Sequence, residues 1–261
     1  VPELPEVERY RQLAESAALD RPIAAVRAAD SWYLKRGLTE VVVSVALVGQ
    51  RFVAARRRGK LMMLDVDDGT VLGLRYGMSG RLVVDGQLGV DRLVSSRVPV
   101  DPRYERFAVA FSDGGWLAMQ DPRRLGGVEL DPDLSRLGPD ALGLTLPELR
   151  AALAESPVAL KARLLDQSRI AGIGNLIADE VLWRAGLSPL RESGVLSPAA
   201  VRRLHAALTS GLAELVERGG SHMGDLMSER HPGGRCPRDG AELVRATVGG
   251  RTTWWCPKHQ R

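Results

Sequence analysis

Cysteine is nearly absent from this chain: two in 261 residues, Cys236 and Cys256. That excludes a disulfide framework, and a chain of this length has enough residues for one large core or two medium ones without such staples. Aromatics are scarce at 5%. No apolar run approaches the ~20 residues of a membrane-spanning helix, and the start carries acids instead of a basic-then-apolar leader. The expectation is a cytoplasmic protein with no membrane partner. Lysine is scarce too: only Lys35, Lys60, Lys161 and Lys258 among 36 basic residues. The heavy use of Arg, Ala and Gly suggests a GC-rich coding sequence. A net charge of +4 and a pI near 9.4 lean mildly towards a polyanionic partner.

What is present divides the chain by texture. Val7, Tyr10, Leu13 and Ala17 fall at helical spacing, predicting a helix over Glu6–Ala18. From Ile23 to about Leu130 short β-rich runs follow, among them VSVALVG, KLMMLDVDDGTVLGLRYG, RLVVDG and FAVAFSDGGWLAM, with Asp-Gly pairs and Gly marking hairpins. Gly86–Arg103 is polar and Pro-containing, which reads as a loop. The fold expected for residues 1–131 is a β-sandwich with the leading helix packed on it. Residues 132–146 read as a linker. Residues 147–230 read as helical: Pro147 and Ser197-Pro198 are helix starts, Gly186 and Gly219 helix stops. Residues 231–261 return to two short β segments. The fold class is therefore α+β and multi-domain.

The tail CPRDGAELVRATVGGRTTWWCPKHQR places Cys236 two residues from Asp239 and Cys256 two residues from His259, on either side of a hairpin turning at Gly249-Gly250. Two such knuckles deliver four zinc-compatible donors to one tetrahedral ion. A segment this short has too little core to order itself, so metal binding would supply its folding energy. Asp239 is the least usual of the four, and His231 stands as a substitute ligand.

Three other stretches invite function. Gly172-Ile173-Gly174 precedes a helix starting near Asn175, an arrangement of exposed N–H groups suited to an anion or equally to tight helix packing. RFVAARRRGK is a basic run ending at Lys60, which the apolar LMML then follows. The opening VPELPE crowds prolines and carboxylates at the chain's start. By itself it reads as a stiff turn and an acidic helix N-terminus.

Taken together, PELPEVE, RRRGK, LRYGMSGRL, DPRRLG, LLDQSRIAGIGNLIADE and GRTTWWCP, in that order over the whole chain, resemble the formamidopyrimidine-DNA glycosylase/endonuclease VIII family of bifunctional repair glycosylases. The resemblance implies an N-terminal β-sandwich, a helix–two-turns–helix domain and a zinc ribbon, with damaged or abasic double-stranded DNA between the domains, and a monomer in the nucleoid. It implies Pro2 as nucleophile, Glu3 as acid/base and Lys60 as a cation in the cleft. It also implies Asn175, Arg251 and Lys161 at the DNA, Met78, Arg123 and Leu125 filling the gap left by an extruded base, and Zn2+ at Cys236, Asp239, Cys256 and His259.

The chain departs from that pattern in the ribbon's Asp and His. It also lacks a longer loop before the ribbon that folds over 8-oxoguanine, and it has Leu125 in place of phenylalanine and Arg75-Tyr76 before the GM pair. These departures leave oxidised pyrimidines, ring-opened purines and abasic sites open as substrates. Val1 separates an enzyme from a DNA-damage sensor that keeps only the clamp, because an amide nitrogen at Pro2 cannot attack. A GTG start, written as valine and removed ahead of proline, is the expectation for it. A ribosome- or RNA-associated zinc-ribbon protein is a weaker third reading, since it would need neither PELPEVE nor Lys60.

Overall fold

The computed structural model describes residues 2–90 and 101–261. The expectation for Val1, and the loop reading for 91–100, fall outside them. The described flanks of that loop include a short strand and a 3-10 turn at Pro102–Tyr104. The chain forms two compact units, residues 1–134 and 135–261.

Among the described residues of the first unit, α1 (Leu4–Ala17) precedes nine strands: β1 (Ile23–Arg27), β2 (Phe52–Arg58), β3 (Leu61–Val66), β4 (Val71–Arg75), β5 (Arg81–Val84), β6 (Gln87–Leu88), β7 (Glu105–Phe111), β8 (Trp116–Gln120) and β9 (Gly127–Leu130). They pair antiparallel into a five-stranded sheet, β1-β7-β8-β5-β6, and a four-stranded sheet, β2-β3-β4-β9. Asp85 and Gly86 both take positive φ (49° and 79°) between the paired Val84 and Gln87. That is the geometry that suits a two-residue hairpin to twisted strands. Phe52 from one sheet meets Phe111 from the other edge-on, ring centroids 6.5 Å apart, inside a core shared by both sheets and by Val7, Tyr10 and Leu13 of α1. This is the expected sandwich.

One run differs. VSVALVG, expected as a strand, lies mostly in α2 (Glu40–Leu47). The Thr39 hydroxyl accepts from the main-chain N–H of Val42 (3.3 Å), and Val43 and Leu47, four apart, are buried while Val41 and Val45 are exposed. A side-chain cap and one buried helical stripe outweigh the strand preference of β-branched residues.

The second unit holds α3 (Leu146–Leu153), α4 (Leu160–Leu165), α5 (Asn175–Ala185), α6 (Pro198–Glu217), and the hairpin β10 (Val244–Val248) and β11 (Arg251–Trp255). Ser197 caps α6 ahead of Pro198, and Gly186 ends α5 in the left-handed conformation (φ 66°). The expected linker belongs to this unit from Ser135 onward: Gly138 N–H donates to Gln167 O (2.9 Å), Asp140 bridges Ala171, and Ala141 is buried. The ribbon belongs to it as well, because Trp183 of α5 packs into one cluster with Cys236, Leu243, Trp254 and Cys256.

Candidate active site, phosphate clamp and metal centre

Pro2 and Glu3 lead into α1, and both are buried, Glu3 to 2% exposure. Glu3 is the N-cap, and its main-chain N–H donates to Oε2 of Glu6 (2.9 Å), within a capping box that fixes the direction of chain entry. Glu6 and Glu8 are buried as well. Three carboxylates withdrawn from water in one helix start are more than capping requires, since buried acids normally need partners.

Glu8 has two such partners, Arg11 Nε and Arg57 Nε, both at 2.9 Å. Arg57 also donates from Nη1 to the carbonyl oxygen of Gly59 (2.9 Å). Gly59 and Lys60 form the two-residue loop closed by the Arg58–Leu61 pair, with Gly59 at φ 59°. The turn that carries Lys60 is thus tied through Arg57 to α1, the helix that Pro2 and Glu3 introduce. Lys60 itself is half-buried.

Two loops of the same unit carry the three gap-filling candidates. Met78 lies in the loop joining β4 to β5, and Arg123 and Leu125 in the loop joining β8 to β9. Leu125 is 52% exposed, and Arg123 is exposed as well. Arg124 between them has φ 55° and makes a two-point contact with Asp30 (Nε–Oδ2 2.7 Å, Nη2–Oδ1 2.6 Å), which holds the Asp30 carboxyl below its ordinary pKa. Gly77 is required where it stands: its φ is 56°, and a Cβ there would run into the main chain of Leu125 and Gly126.

In the second unit the glycine turn before α5 is held by Gln167. Its Oε1 accepts from Gly172 N–H (3.0 Å), and its Nε2 donates to Ile173 O (2.9 Å). Asn175 opens α5, and its Oδ1 is buried with no hydrogen-bond partner among the described residues. Arg251 opens β11 and is exposed.

Lys161 is not at a surface, and the expectation that it meets DNA is corrected. It is fully buried, paired at 2.7 Å with fully buried Asp179 of α5, and donates to Thr253 Oγ1 (2.7 Å) and Thr252 O (3.2 Å) of β11. Arg230 approaches the other oxygen of Asp179 (2.7 Å), which also accepts from Trp254 N–H (3.2 Å). An ammonium withdrawn from water beside a carboxylate joins α4, α5 and β11; it does not reach for a phosphate.

The four tail residues converge. One ligand atom from each of Cys236, Asp239, Cys256 and His259 lies within 4.8 Å of all the others. Individual edges are 3.5 Å (Cys236 Sγ–His259 Nδ1), 3.4 Å (Cys256 Sγ–Asp239 Oδ2) and 3.3 Å (His259 Nδ1–Asp239 Oδ2). Donors about 2.0–2.3 Å from a central ion at tetrahedral angles would stand roughly 3.3–3.8 Å apart, so the donor set fits one small cation. The main-chain N–H of Ala241 does most to hold Asp239 ionised, with its pKa down to about 2, while burial pushes the Cys256 thiol up. His231 is exposed and contacts the carbonyl of Pro232, outside the group.

Trp183 braces this centre twice. Its indole Nε1–H donates to Cys236 Sγ (3.4 Å), and its carbonyl oxygen lies 3.2 Å from His259 Nε2, leaving Nδ1 for a metal. Glu8, Arg57 and Asp179 fall inside PELPEVE, RRRGK and LLDQSRIAGIGNLIADE without any role assigned to them there, and Trp183 lies outside every motif. Only a structure could find their roles, because most of the partners that define them lie 49 to 76 residues away and Lys161 sits on a separate helix.

A β-sandwich that buries carboxylates around its first helix turn, followed by a helical unit carrying a ribbon with four candidate metal ligands, defines a class of two-unit proteins. Models of the formamidopyrimidine-DNA glycosylase N-terminal domain and of the formamidopyrimidine-DNA glycosylase H2TH domain match residues 1–128 and 137–226. A formamidopyrimidine-DNA glycosylase of Cereibacter sphaeroides is 35% identical over 291 residues, covering all of both chains. One from Arabidopsis thaliana is 33% identical over 284 residues, covering all of this chain and 71% of that one. Among solved structures, a complex between the Lactococcus lactis enzyme and abasic-site DNA superposes with TM-score 0.84 at 26% identity over 99% of each chain. This chain belongs to the formamidopyrimidine-DNA glycosylase family.

Proposed function

We propose that this protein is a DNA glycosylase of base excision repair that removes a damaged base through Pro2 and nicks the resulting abasic strand, the lyase step being characteristic of the family. The observation that carries the reading is the burial of the Glu3 carboxylate directly beside Pro2 at the start of α1. With Val1 removed, Pro2 presents a secondary amine whose ordinary pKa, near 8, leaves a useful neutral fraction at cellular pH. Its nitrogen bonds to the sugar C1′ as the bond from C1′ to the base breaks, and the base departs with a proton. Glu3 protonates the ring oxygen as the sugar opens, giving an iminium at C1′. That cation draws electrons from C2′; loss of the C2′ proton then expels the 3′ phosphate and cuts the strand. Lys60 adds positive charge near the phosphates or the leaving group.

The partner is double-stranded DNA carrying a damaged base or an abasic site. Asn175, with a buried side-chain oxygen and a neighbouring amide donor at a helix start, and exposed Arg251 grip backbone phosphates. Met78, Arg123 and Leu125 fill the space of the extruded nucleotide. Ring-opened purines and abasic sites are the first substrates to test, because the Lactococcus lactis relative is solved with DNA containing each. Zinc is the cation for Cys236, Asp239, Cys256 and His259. It orders the ribbon and takes no part in bond breaking.

Borohydride trapping on abasic-site duplex tests the reading. A covalent adduct that disappears in Pro2→Gly is expected. Tight binding without any adduct, from protein whose first residue is proven to be Pro2, would instead make the protein a damage sensor.

A further inference from the structure

The proposed reaction uses three residues of two loops, and something must hold those loops in register. Asp121 lies at the centre of both and is fully buried. Its Oδ1 accepts from the hydroxyl of Ser79 (2.5 Å) and the main-chain N–H of Arg123 (3.2 Å), and its Oδ2 accepts from the N–H of Gly126 (2.8 Å). Ser79, also fully buried, follows Met78 directly, and its Oγ accepts a second contact from Arg123 N–H (3.3 Å). The main-chain carbonyl of Asp121 is held in turn by Arg106 Nε (3.0 Å). One carboxylate therefore fixes the residue after Met78, the amide of Arg123 and the amide after Leu125. Arg124, in its left-handed conformation, is anchored separately on Asp30. The loop so pinned turns Arg123 and Leu125 outward between its two anchors.

We propose that Asp121, with Ser79, is a positioning residue that presents Met78, Arg123 and Leu125 as one preformed wedge. It thereby governs extrusion of a nucleotide from paired DNA and leaves the chemistry at an already exposed sugar untouched. The inference rests on the glycosylase/lyase reading above. Physically, a buried carboxylate satisfied by three donors has one favourable arrangement, so the loops need not be ordered during binding. Removing it takes away the carboxylate that ties the loop of Met78 to the loop of Arg123 and Leu125. Displacements of about 1 Å in such a positioning shell reduce rates by up to about 100-fold.

The test compares two DNA substrates in wild type, Asp121→Asn and Ser79→Ala: an abasic site in a duplex, and the same site in a single strand. A single strand has no opposing base and no stack to wedge open, so it reads chemistry alone. A 2-aminopurine neighbouring the site in the duplex reports unstacking. We expect duplex cleavage in Asp121→Asn to fall about 10- to 100-fold, with slowed 2-aminopurine fluorescence. Borohydride trapping on the single strand should stay within about twofold of wild type, and Ser79→Ala should show a smaller loss in the same direction. Equal losses on both substrates, or no loss on the duplex, overturn the proposal. If Asp121→Asn does not fold, as judged by its melting curve, the same comparison on Ser79→Ala decides between these outcomes. Wild-type protein that traps neither substrate refutes the enzymatic reading itself, which separates that failure from this one.

Discussion

Two of the four lysines show how little residue type says without its surroundings. Lys60 sits half-buried in a two-residue turn at the end of a basic strand, while Lys161 is sealed between three elements of the second unit. The buried pair predicts an asymmetry. Asp179→Ala strands the Lys161 ammonium and the Arg230 guanidinium without their carboxylate, and should cost about 3–5 kcal/mol. Lys161→Met leaves Asp179 paired with Arg230 and replaces the stem with an apolar one, so it should cost markedly less. Urea denaturation of both variants checks this; equal losses would show that the lysine is not held as described. At this scale the sequence was legible at motif positions only. The four candidate metal ligands can be read from spacing and Pro2 and Glu3 from the family resemblance, whereas Glu8, Arg57, Asp121 and Asp179 fall inside the same motifs without a role until their partners are placed. Lys161, which the resemblance places at the DNA, is buried by partners from α5 and β11 that the sequence does not bring beside it.

Among the elements, turn chemistry was the most readable feature. The Asp-Gly pairs mark hairpins, Ser197-Pro198 opens a helix, and Gly186 closes one. The helix over Glu40–Leu47 was hidden by its valines, because a local cap and two buried residues decided it against propensity. The ribbon is the element most dependent on chemistry outside its own sequence. Trp183 reaches it from α5, so Trp183→Phe, which removes the N–H donated to Cys236 but keeps an aromatic body, should weaken metal retention about 10- to 100-fold. Chelator competition measures that affinity directly. Chelation of the wild-type protein should also change the fluorescence of Trp183 and Trp254, since both pack in the cluster with the two cysteines. Unchanged emission on chelation would mean the four donors close without a metal, and unchanged affinity in Trp183→Phe would mean that Trp183 does not brace the site.

For the whole molecule, a net charge of only +4 on 261 residues gives little long-range attraction to DNA. Affinity must then come from a few placed contacts. Each phosphate neutralised by a cation contributes close to one unit to the slope of log affinity against log salt. Arg251→Ala should lower that slope by about 1. Asn175→Ala, which removes a neutral contact, should weaken binding with the slope nearly unchanged. Titrations of an abasic-site analogue duplex across a salt series distinguish the two, and identical slopes in all three proteins would remove Arg251 from the phosphate clamp. The two-unit organisation itself was only partly legible. The change from β-rich to helical texture marks the division near residue 134, but the ribbon and the expected linker are parts of the second unit because of buried contacts that composition does not record.

The central claim is that the nitrogen of residue 2 performs the chemistry beside the Glu3 carboxylate. Its most direct test is peptide mass mapping of the borohydride-trapped complex with abasic-site DNA. The account predicts that protein in the adduct begins at Pro2 and carries the reduced sugar on that proline nitrogen. A sugar found on Lys60 or any other side chain, or an adduct formed by protein that still carries Val1, would contradict it.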